Sequence, residues 1–271
     1  MGLFDRIFRR QQLFSMLPAD SKMWKTSRKA GISPRCECLA QQYGNGMYGK
    51  LNLHAEVQDT DFEGWKILLE LIERAVSKRS KEFAPGLEMA PELWSQIVTL
   101  PPSISKLTSV RKFYLYGSHL VRIPPEIGDM VNLEELDIYT SYRLHWIPFE
   151  ITRCSNLQKS RVSTRALYGN YKYRPPFPVL DVPESKLNLT DVCGVCRRNV
   201  RSGEVHQVWI SLRVATDVLP LLVNACSNEC IRRLPTPAYG YVDHPHRGGL
   251  DVKQPPPGII PPRPDRQWTR S

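Results

Sequence analysis

The sequence lacks long apolar runs, and no stretch approaches the roughly 20 apolar residues of a transmembrane helix. Its start, MGLFDRIFRRQQLFSML, has neither the continuous apolar core nor the small-residue cleavage site of a signal peptide. It also lacks the Ser or Thr near position six that a myristoylation signal requires. The seven cysteines, without a secretion signal, favour reduced thiols or metal ligands over a disulfide framework. We therefore expect a cytoplasmic protein with no transmembrane segment.

Motifs of the common enzyme classes are also missing: there is no P-loop, H-E-x-x-H, nucleophile elbow or catalytic triad. Gly44, Gly46 and Gly49 match the dinucleotide fingerprint G-x-G-x-x-G. That fingerprint needs a hydrophobic strand before it and a helix after it. Here polar residues precede the glycines, and apolar residues alternate from Leu51 to Val57 as in a strand. We interpret the motif as a glycine-rich turn before a strand, and the sequence predicts a protein that is not an enzyme.

Residues 1–50 read as a basic N-terminal arm, and the net charge of +10 for the whole chain hints at an acidic partner. Near one face of a predicted first helix stand five apolar residues: Leu3, Phe4, Ile7, Phe8 and Phe14. Such a helix can lie on an anionic membrane surface or dock on the protein's own body. We favour docking, because Asp5 and the short length weaken membrane affinity.

Residues 51–98 predict a strand followed by helices that close one end of the protein. Thr60 and Glu63 have the spacing of a capping box. The apolar residues of FEGWKILLELIERAV form one helical stripe, which is typical of a core-facing helix. A shorter helix is expected around Leu93 to Val98, with Pro91 near its first turn.

Three stretches that begin at Leu100, Ile123 and Ile147 share one pattern, at offsets of 23 and then 24 residues. A proline follows each first residue, and apolar residues recur in aligned columns. The columns are Ile104, Ile127 and Ile151; Leu107, Met130 and Cys154; Val110, Leu133 and Leu157; Phe113, Leu136 and Ser160; and Leu115, Ile138 and Val162. Since no single unit can bury its apolar side alone, neighbouring units must stack.

This pattern resembles the leucine-rich repeat family, in its 23-residue class with proline at the turn onto the convex side. The resemblance implies a solenoid over residues 99–180, with one short strand per unit. The asparagine that the family places after the strand is replaced by Ser118, Ser141 and Arg165. Because Arg165 cannot take that inward role, we expect a distorted third turn.

Side chains between the inward columns should lie on the concave sheet face, where solenoids usually bind their partners. The predicted partner-binding residues are Lys112, Tyr114, Tyr116, Glu135, Asp137, Tyr139, Lys159 and Arg161. Tyrosines among charges of both signs are typical of protein-binding surfaces, and an ordinary solvated sheet face is the alternative. The two carboxylates favour a basic patch on the partner.

Residues 188–236 contain two cysteine pairs, Cys193 with Cys196 and Cys226 with Cys230. VWISLRV and VLPLLVNA between the pairs predict a hairpin, and both cysteines of the second pair would lie on one helix face. This order resembles a treble-clef zinc finger of the MYM/TRASH type. Four thiolates complete a tetrahedron, so we expect one structural zinc and no catalytic one.

Changing Cys226 to serine should then unfold this module while sparing the repeats. A redox role for the first pair would require a helix start within a βαβ unit, which is missing. The other cysteines are assigned no metal: Cys154 is expected to be a buried filler, and Cys36 and Cys38 free surface thiols.

Residues 237–271 form a proline-rich tail, which we expect to be extended and, from about Val252 onward, dispensable for stability. His244 and His246 are expected to be solvated loop residues. The whole sequence predicts an α/β protein: a short leucine-rich-repeat solenoid with an N-terminal helical cap and a small C-terminal zinc-binding module. Its predicted function is that of a non-enzymatic scaffold that binds a protein. The alternative is a nucleic-acid-binding protein that uses the arginines of the zinc module, which are Arg197, Arg198, Arg201, Arg232 and Arg233.

Overall fold

The computed structural model describes residues 50–51, 53–162, 177, 179–180, 190–200, 204–248, 252–253 and 255. Outside these residues lie most of the N-terminal arm, the glycine motif, Cys36 and Cys38, Arg165, Arg201 and most of the proline-rich tail. No helix within the described ranges is long and apolar enough to cross a membrane.

The described residues form a mixed α/β structure with one parallel sheet, one mixed sheet and a two-stranded parallel ladder. The helices are α1 (Glu63–Ser77), α2 (Pro85–Glu88), α3 (Pro91–Trp94) and α4 (Asn228–Arg232). The strands are β1 (Lys50–Leu51), β2 (Glu82–Phe83), β3 (Lys112–Tyr114), β4 (Glu135–Ile138), β5 (Ile147–Pro148), β6 (Lys159–Val162), β7 (Val179–Leu180), β8 (His206–Val214) and β9 (Asp217–Ala225). Three 3₁₀ helices span Pro102–Lys106, Pro125–Asp129 and Phe149–Arg153.

Helix α1 buries Leu68 and Ile72 of the predicted apolar stripe, whereas Trp65, Leu69 and Val76 are only partly buried. Its N-terminus also differs from the predicted capping box. The helix begins at Glu63 after Phe62, which makes no side-chain cap. The Gln96 side chain instead accepts the amide N–H of Gly64 at 2.9 Å. A residue 32 positions away therefore caps the helix, and local spacing could not indicate this. The predicted second helix is also shorter and earlier, because it ends at Trp94.

The parallel sheet has the strand order β2-β3-β4-β6, so β3, β4 and β6 lie side by side. Lys112 is in register with Glu135, and Glu135 with Lys159, so neighbouring strands are offset by the 23 and 24 residues of the sequence pattern. All residues of the aligned columns are buried, including Cys154, which confirms its predicted place as a core filler. Each 3₁₀ helix follows the column proline within two residues, because proline ends the strand-like approach and fixes φ for a tight turn.

The second and third 3₁₀ helices approach most closely at Gly128. A Cβ atom placed there would lie 2.5 Å from the Glu150 carbonyl oxygen and 2.9 Å from the Glu150 Cβ. The equivalent position in the first 3₁₀ helix is Ser105, whose hydroxyl donates to the Pro102 carbonyl at 2.9 Å. The middle turn therefore requires glycine for packing.

We expect Gly128→Ala to lower the free energy of unfolding by about 2 to 3 kcal/mol, because a backbone atom blocks the added methyl. Ser105→Ala is the matched control at the equivalent position and should cost less than about 1 kcal/mol. Urea unfolding of both variants measures the difference. Equal losses of stability in Gly128→Ala and Ser105→Ala would show that the second and third 3₁₀ helices can move apart to accommodate the added methyl group.

The second sheet has the order β5-β9-β8, in which the predicted hairpin of β8 and β9 is confirmed as antiparallel. Strand β9 also pairs in parallel with β5, and Ile147 is in register with Leu221. One hydrophobic cluster runs without a break from α1 through the repeat columns to the hairpin and to Cys193 and Cys230. The cysteine region therefore shares its core with the parallel sheet.

The tip of the β8–β9 hairpin covers the free edge of β6. The Ser160 hydroxyl donates to the Asp217 carboxylate at 2.6 Å, and the Thr216 hydroxyl donates to the Ser160 carbonyl at 2.8 Å. Ser160 stands in an inward column where the other two units have Phe113 and Leu136. These polar partners explain how a serine can occupy that column at the end of the sheet.

Residues 53–59 contradict the predicted alternating strand, since they form no strand and Val57 is 84% exposed. This segment instead crosses the loops that follow the parallel strands, and it contacts them through side chains. In order, the His54 ring stacks on that of His145, the Glu56 carboxylate pairs with Arg143, and Gln58 Oε1 accepts the Val98 amide. Side chains of this segment contact the neighbouring loops, and these contacts hold the segment in place without strand pairing.

Candidate metal centre and sheet face

The four predicted metal-ligating cysteines, Cys193, Cys196, Cys226 and Cys230, meet at one point, and their sulfur atoms all lie within 4.8 Å of one another. The Cys226 sulfur is 3.6 Å from the sulfurs of both Cys196 and Cys230. A tetrahedral zinc with Zn–S bonds of about 2.3 Å separates its sulfur ligands by about 3.8 Å. The cluster therefore fits a metal ion with tetrahedral thiolate coordination.

The first pair lies on a tight knuckle whose backbone is directed at sulfur. The Cys193 sulfur accepts the amides of Cys196 at 3.5 Å and Cys226 at 3.4 Å. The Cys193 amide donates to the Arg198 carbonyl at 2.9 Å, which closes the turn. Arg197 lies in the left-handed region with φ of 62° and reverses the chain there. Amides directed at a sulfur stabilise its thiolate form.

The second pair differs from the prediction that one helix carries both cysteines. Cys226 precedes the short helix α4, and Cys230 lies within it. Between them, the Ser227 hydroxyl caps the helix by accepting the Cys230 amide at 3.3 Å. The serine therefore sets the geometry of the pair by turning the chain into the helix.

Two structural contacts fix the knuckle to the third 3₁₀ helix. The Arg153 guanidinium donates to the Gly194 carbonyl at 3.0 Å. A Cβ at Gly194 would lie 2.8 Å from the buried carboxylate of Glu150, so a side chain there would displace it. Sequence reasoning missed both features, because residues 41 and 44 positions apart give no local signal.

Three of the thiols, those of Cys196, Cys226 and Cys230, have a shifted pKa. A hydrogen bond from the Arg198 side chain is the main cause that lowers the pKa of Cys196 to about 6. Burial raises the pKa of Cys226, and that of Cys230 to about 12. Since metals bind thiolates, binding releases protons and should tighten as the pH rises. The chemistry of the cluster is that of a closed site, because four thiolates leave no position for water or substrate.

The exposed side of the parallel sheet carries a row of charges that alternate in sign. Glu82, Lys112, Glu135 and Lys159 occupy equivalent positions on the four strands. Lys112 Nζ donates to the Glu82 carboxylate at 2.8 Å. The row therefore carries no net charge, and the predicted preference for a basic partner loses its support.

Tyr116, Tyr139 and Arg161 form an aromatic patch beside this row, which we call the tyrosine patch. The two rings are 6.1 Å apart between centroids, and the Arg161 guanidinium carbon lies 5.3 Å from the centre of the Tyr139 ring. Tyr139 is 40% exposed. The two tyrosines lie just beyond the ends of β3 and β4, and the cation–π contact is one that the sequence did not indicate.

Tyr114 and Asp137 were predicted partner contacts, but both are buried. The Tyr114 ring packs with Ala84 and Leu87, and burial raises its pKa. One Asp137 oxygen accepts the Tyr139 amide at 3.0 Å, and the other accepts from Arg161 at 3.2 Å. Burial raises the pKa of Asp137. Asp137 therefore holds Tyr139 and Arg161 of the tyrosine patch in place, whereas Tyr114 packs against the residues that follow β2.

The positive charge of the chain lies mainly outside the described residues. Of the 37 Lys and Arg and 27 Asp and Glu, 16 and 7 lie outside, which leaves 21 cations and 20 anions inside. Residues 1–49 alone hold 8 of those 16 cations. The described surface is thus close to electrically neutral.

Of the arginines in the alternative hypothesis, Arg201 lies outside the described residues, and the other four are exposed. Two of these four already make side-chain contacts. Arg232 forms a forked contact with Glu229, at 3.1 and 2.6 Å. The Arg198 Nε donates to the Cys196 sulfur at 3.5 Å. Arg197 and Arg233 are exposed at the surface.

The two histidines predicted to be solvated differ from each other, because His246 is only 6% exposed. Its ring meets that of Phe177 edge-on at 4.5 Å, and its backbone exchanges hydrogen bonds with Trp209 on β8. His244 is half-exposed and bonds to Asp243. The prediction for His246 was wrong because an aromatic cluster, remote in sequence, covers it.

A scan against protein-family models finds no match for this chain, and a search of curated proteins finds none either.

Proposed function

We propose that this chain is a non-enzymatic, cytoplasmic interaction protein, which binds a partner protein through the exposed side of its parallel sheet. The tyrosine patch carries this proposal. Paired tyrosine rings, one of them well exposed and overlaid by a guanidinium, offer large contact area at low entropic cost. The neighbouring charges alternate in sign, which favours a protein surface over a polyanion.

We propose further that the parallel strands and 3₁₀ helices are turns of a short leucine-rich-repeat solenoid. The in-register strands, the buried columns and the prolines before each 3₁₀ helix support this. In such a solenoid the exposed sheet side is the concave face. The metal at the cysteine cluster would be a structural zinc, which the tetrahedral sulfur spacing supports.

The experiment is an affinity capture of partners by the full chain, followed by mass spectrometry and by measurement of the dissociation constant. A Tyr116→Ala, Tyr139→Ala double variant should weaken binding by about 1 to 3 kcal/mol per ring, a loss of at least tenfold. Circular dichroism should show an unchanged fold, because neither ring belongs to the described core clusters.

Tyr239→Ala is the matched control, since Tyr239 is 67% exposed and lies in the segment that follows α4. It should bind the partner as the wild type does. Unchanged affinity in a folded double variant would contradict the proposal for the sheet face.

The alternative, nucleic-acid binding at the exposed arginines, predicts a different salt response. Binding to phosphates would weaken steeply between 50 and 200 mM salt, by about 10³-fold if six phosphates are contacted. Capture of one protein with little salt dependence supports the sheet face. If nucleic-acid affinity still falls steeply with salt after removal of residues 1–49, the result would support nucleic-acid binding by the exposed arginines.

A further inference from the structure

The metal centre has an asymmetry that its four ligands alone do not explain. Cys193 is completely buried and receives two backbone amides, whereas Cys196 is half-buried. The Cys196 sulfur instead accepts Arg198 Nε at 3.5 Å. A divalent metal with four thiolates carries a net charge of about −2, which is costly at a partly buried site unless donors offset it.

We propose that Arg198 is the outer-shell residue that controls metal affinity, by donating its Nε–H to the Cys196 sulfur. The inference rests on the proposed metal site. Arg198 acts through Cys196 and is a positioning residue, whereas the other exposed arginines contribute only long-range charge.

The knuckle holds Arg198 in place for this contact. The Arg198 carbonyl accepts the Cys193 amide at 2.9 Å. An antiparallel β-bridge between Val192 and Asn199 joins the segments before and after the turn. Arg197, one residue earlier, occupies the left-handed turn position. Two adjacent arginines thus have different roles, because only the second contacts sulfur through its side chain.

This neighbouring pair provides a matched comparison. Arg198→Met removes the charge and the Nε–H but keeps the backbone, and Arg198→Lys keeps the charge while removing the planar donor. Arg197→Asn removes one charge at the adjacent position, and asparagine suits the left-handed conformation of that residue. All three changes are at exposed positions, so folding in excess zinc should be preserved, as far-ultraviolet circular dichroism can verify.

Zinc affinity is measured by competition with a chromophoric chelator, on the full chain. We expect Arg198→Met to bind zinc about 10- to 100-fold more weakly, and Arg198→Lys to lie between it and the wild type. Arg197→Asn should change the affinity by less than about threefold, because exposed charges are screened.

Cobalt(II) substitution gives a second readout that a purely structural role would not affect. Loss of the N–H donor makes the Cys196 thiolate more electron-rich, so the sulfur-to-cobalt charge-transfer absorption should move to longer wavelength in Arg198→Met. It should stay in place in Arg197→Asn.

Equal weakening by Arg198→Met and Arg197→Asn would reduce the effect to net charge and overturn the inference. An Arg198→Met variant with wild-type zinc affinity would overturn it as well, with the metal site intact. A wild-type protein that binds no zinc would overturn the metal site and this inference together.

Discussion

A Cys226→Ser variant should fail to bind the metal that we propose to be zinc, and it should lose at least about 5 kcal/mol of folding free energy across the whole described body. The Cys226 sulfur lies 3.6 Å from the sulfurs of Cys196 and Cys230. Because the hairpin and the repeat columns share one continuous core, loosening the cysteine end should also loosen the parallel sheet. This outcome differs from the sequence-based expectation that the repeats are spared. Metal analysis and thermal unfolding of the full chain measure it.

Cys154→Ser is the control, since it makes the same chemical change at a buried cysteine outside the cluster. The Cys154 thiol donates to the Ile127 carbonyl at 3.2 Å, a bond that serine can replace. It should retain zinc and lose only about 1 kcal/mol. A Cys226→Ser protein with the melting temperature of the wild type would show that the cysteine cluster does not stabilise the fold.

Acid should destabilise the fold through two histidines before most carboxylates titrate. Burial, aided by the charge of Arg143, lowers the pKa of His119 to about 4, and burial with His244 nearby lowers that of His246 to about 4. In the unfolded chain both take up protons near pH 6.5, so the fold loses stability as the pH falls from 6.5 towards 4. Between pH 7.5 and 5.5 the two together should cost about 3 kcal/mol.

Buried carboxyl groups act in the opposite direction at lower pH. Burial raises the pKa of Asp137, Glu150 and Asp217, so their protonation favours the fold as the pH falls through the carboxyl range. The measurement is therefore urea unfolding in saturating zinc between pH 7.5 and 5.5. A His119→Phe, His246→Phe variant should lose about 3 kcal/mol less than the wild type over this range, since metal release affects both proteins. If the free energy of unfolding falls equally with pH in the wild type and the variant, His119 and His246 are not the cause of the acid destabilisation.

The sequence predicted the features that depend on repeated burial and on close spacing. The aligned columns predicted which residues are buried, because each unit buries its apolar residues against the neighbouring unit at the same positions. The paired cysteines predicted the cluster, since the knuckle and α4 bring each pair together locally. The hairpin was also predicted from alternation in VWISLRV.

What the sequence could not show are contacts between distant residues. Gln96 caps α1, Thr216 covers β6, and the aromatic cluster encloses His246. Tyr114 and Asp137 follow the period-two pattern of exposed positions, yet Leu87 and Arg161 cover them. Alternation assigns a side chain to one face of a sheet, but it cannot indicate what packs over that face.

Both ends of the parallel sheet are covered, and this limits the positions at which a further strand can be added to the sheet. Thr216 bonds to the backbone N–H and carbonyl of Ser160, which a new strand beside β6 would need, and α1 packs near the first 3₁₀ helix at the other end. Duplication of a 23-residue unit after β6 would displace the hairpin and its cysteines. A duplicate inserted between β3 and β4 would leave both ends unchanged and would widen the exposed face by one strand. Natural length variants of this protein should therefore differ in the middle of the array, with the cysteine-bearing end kept at a fixed distance from the last strand.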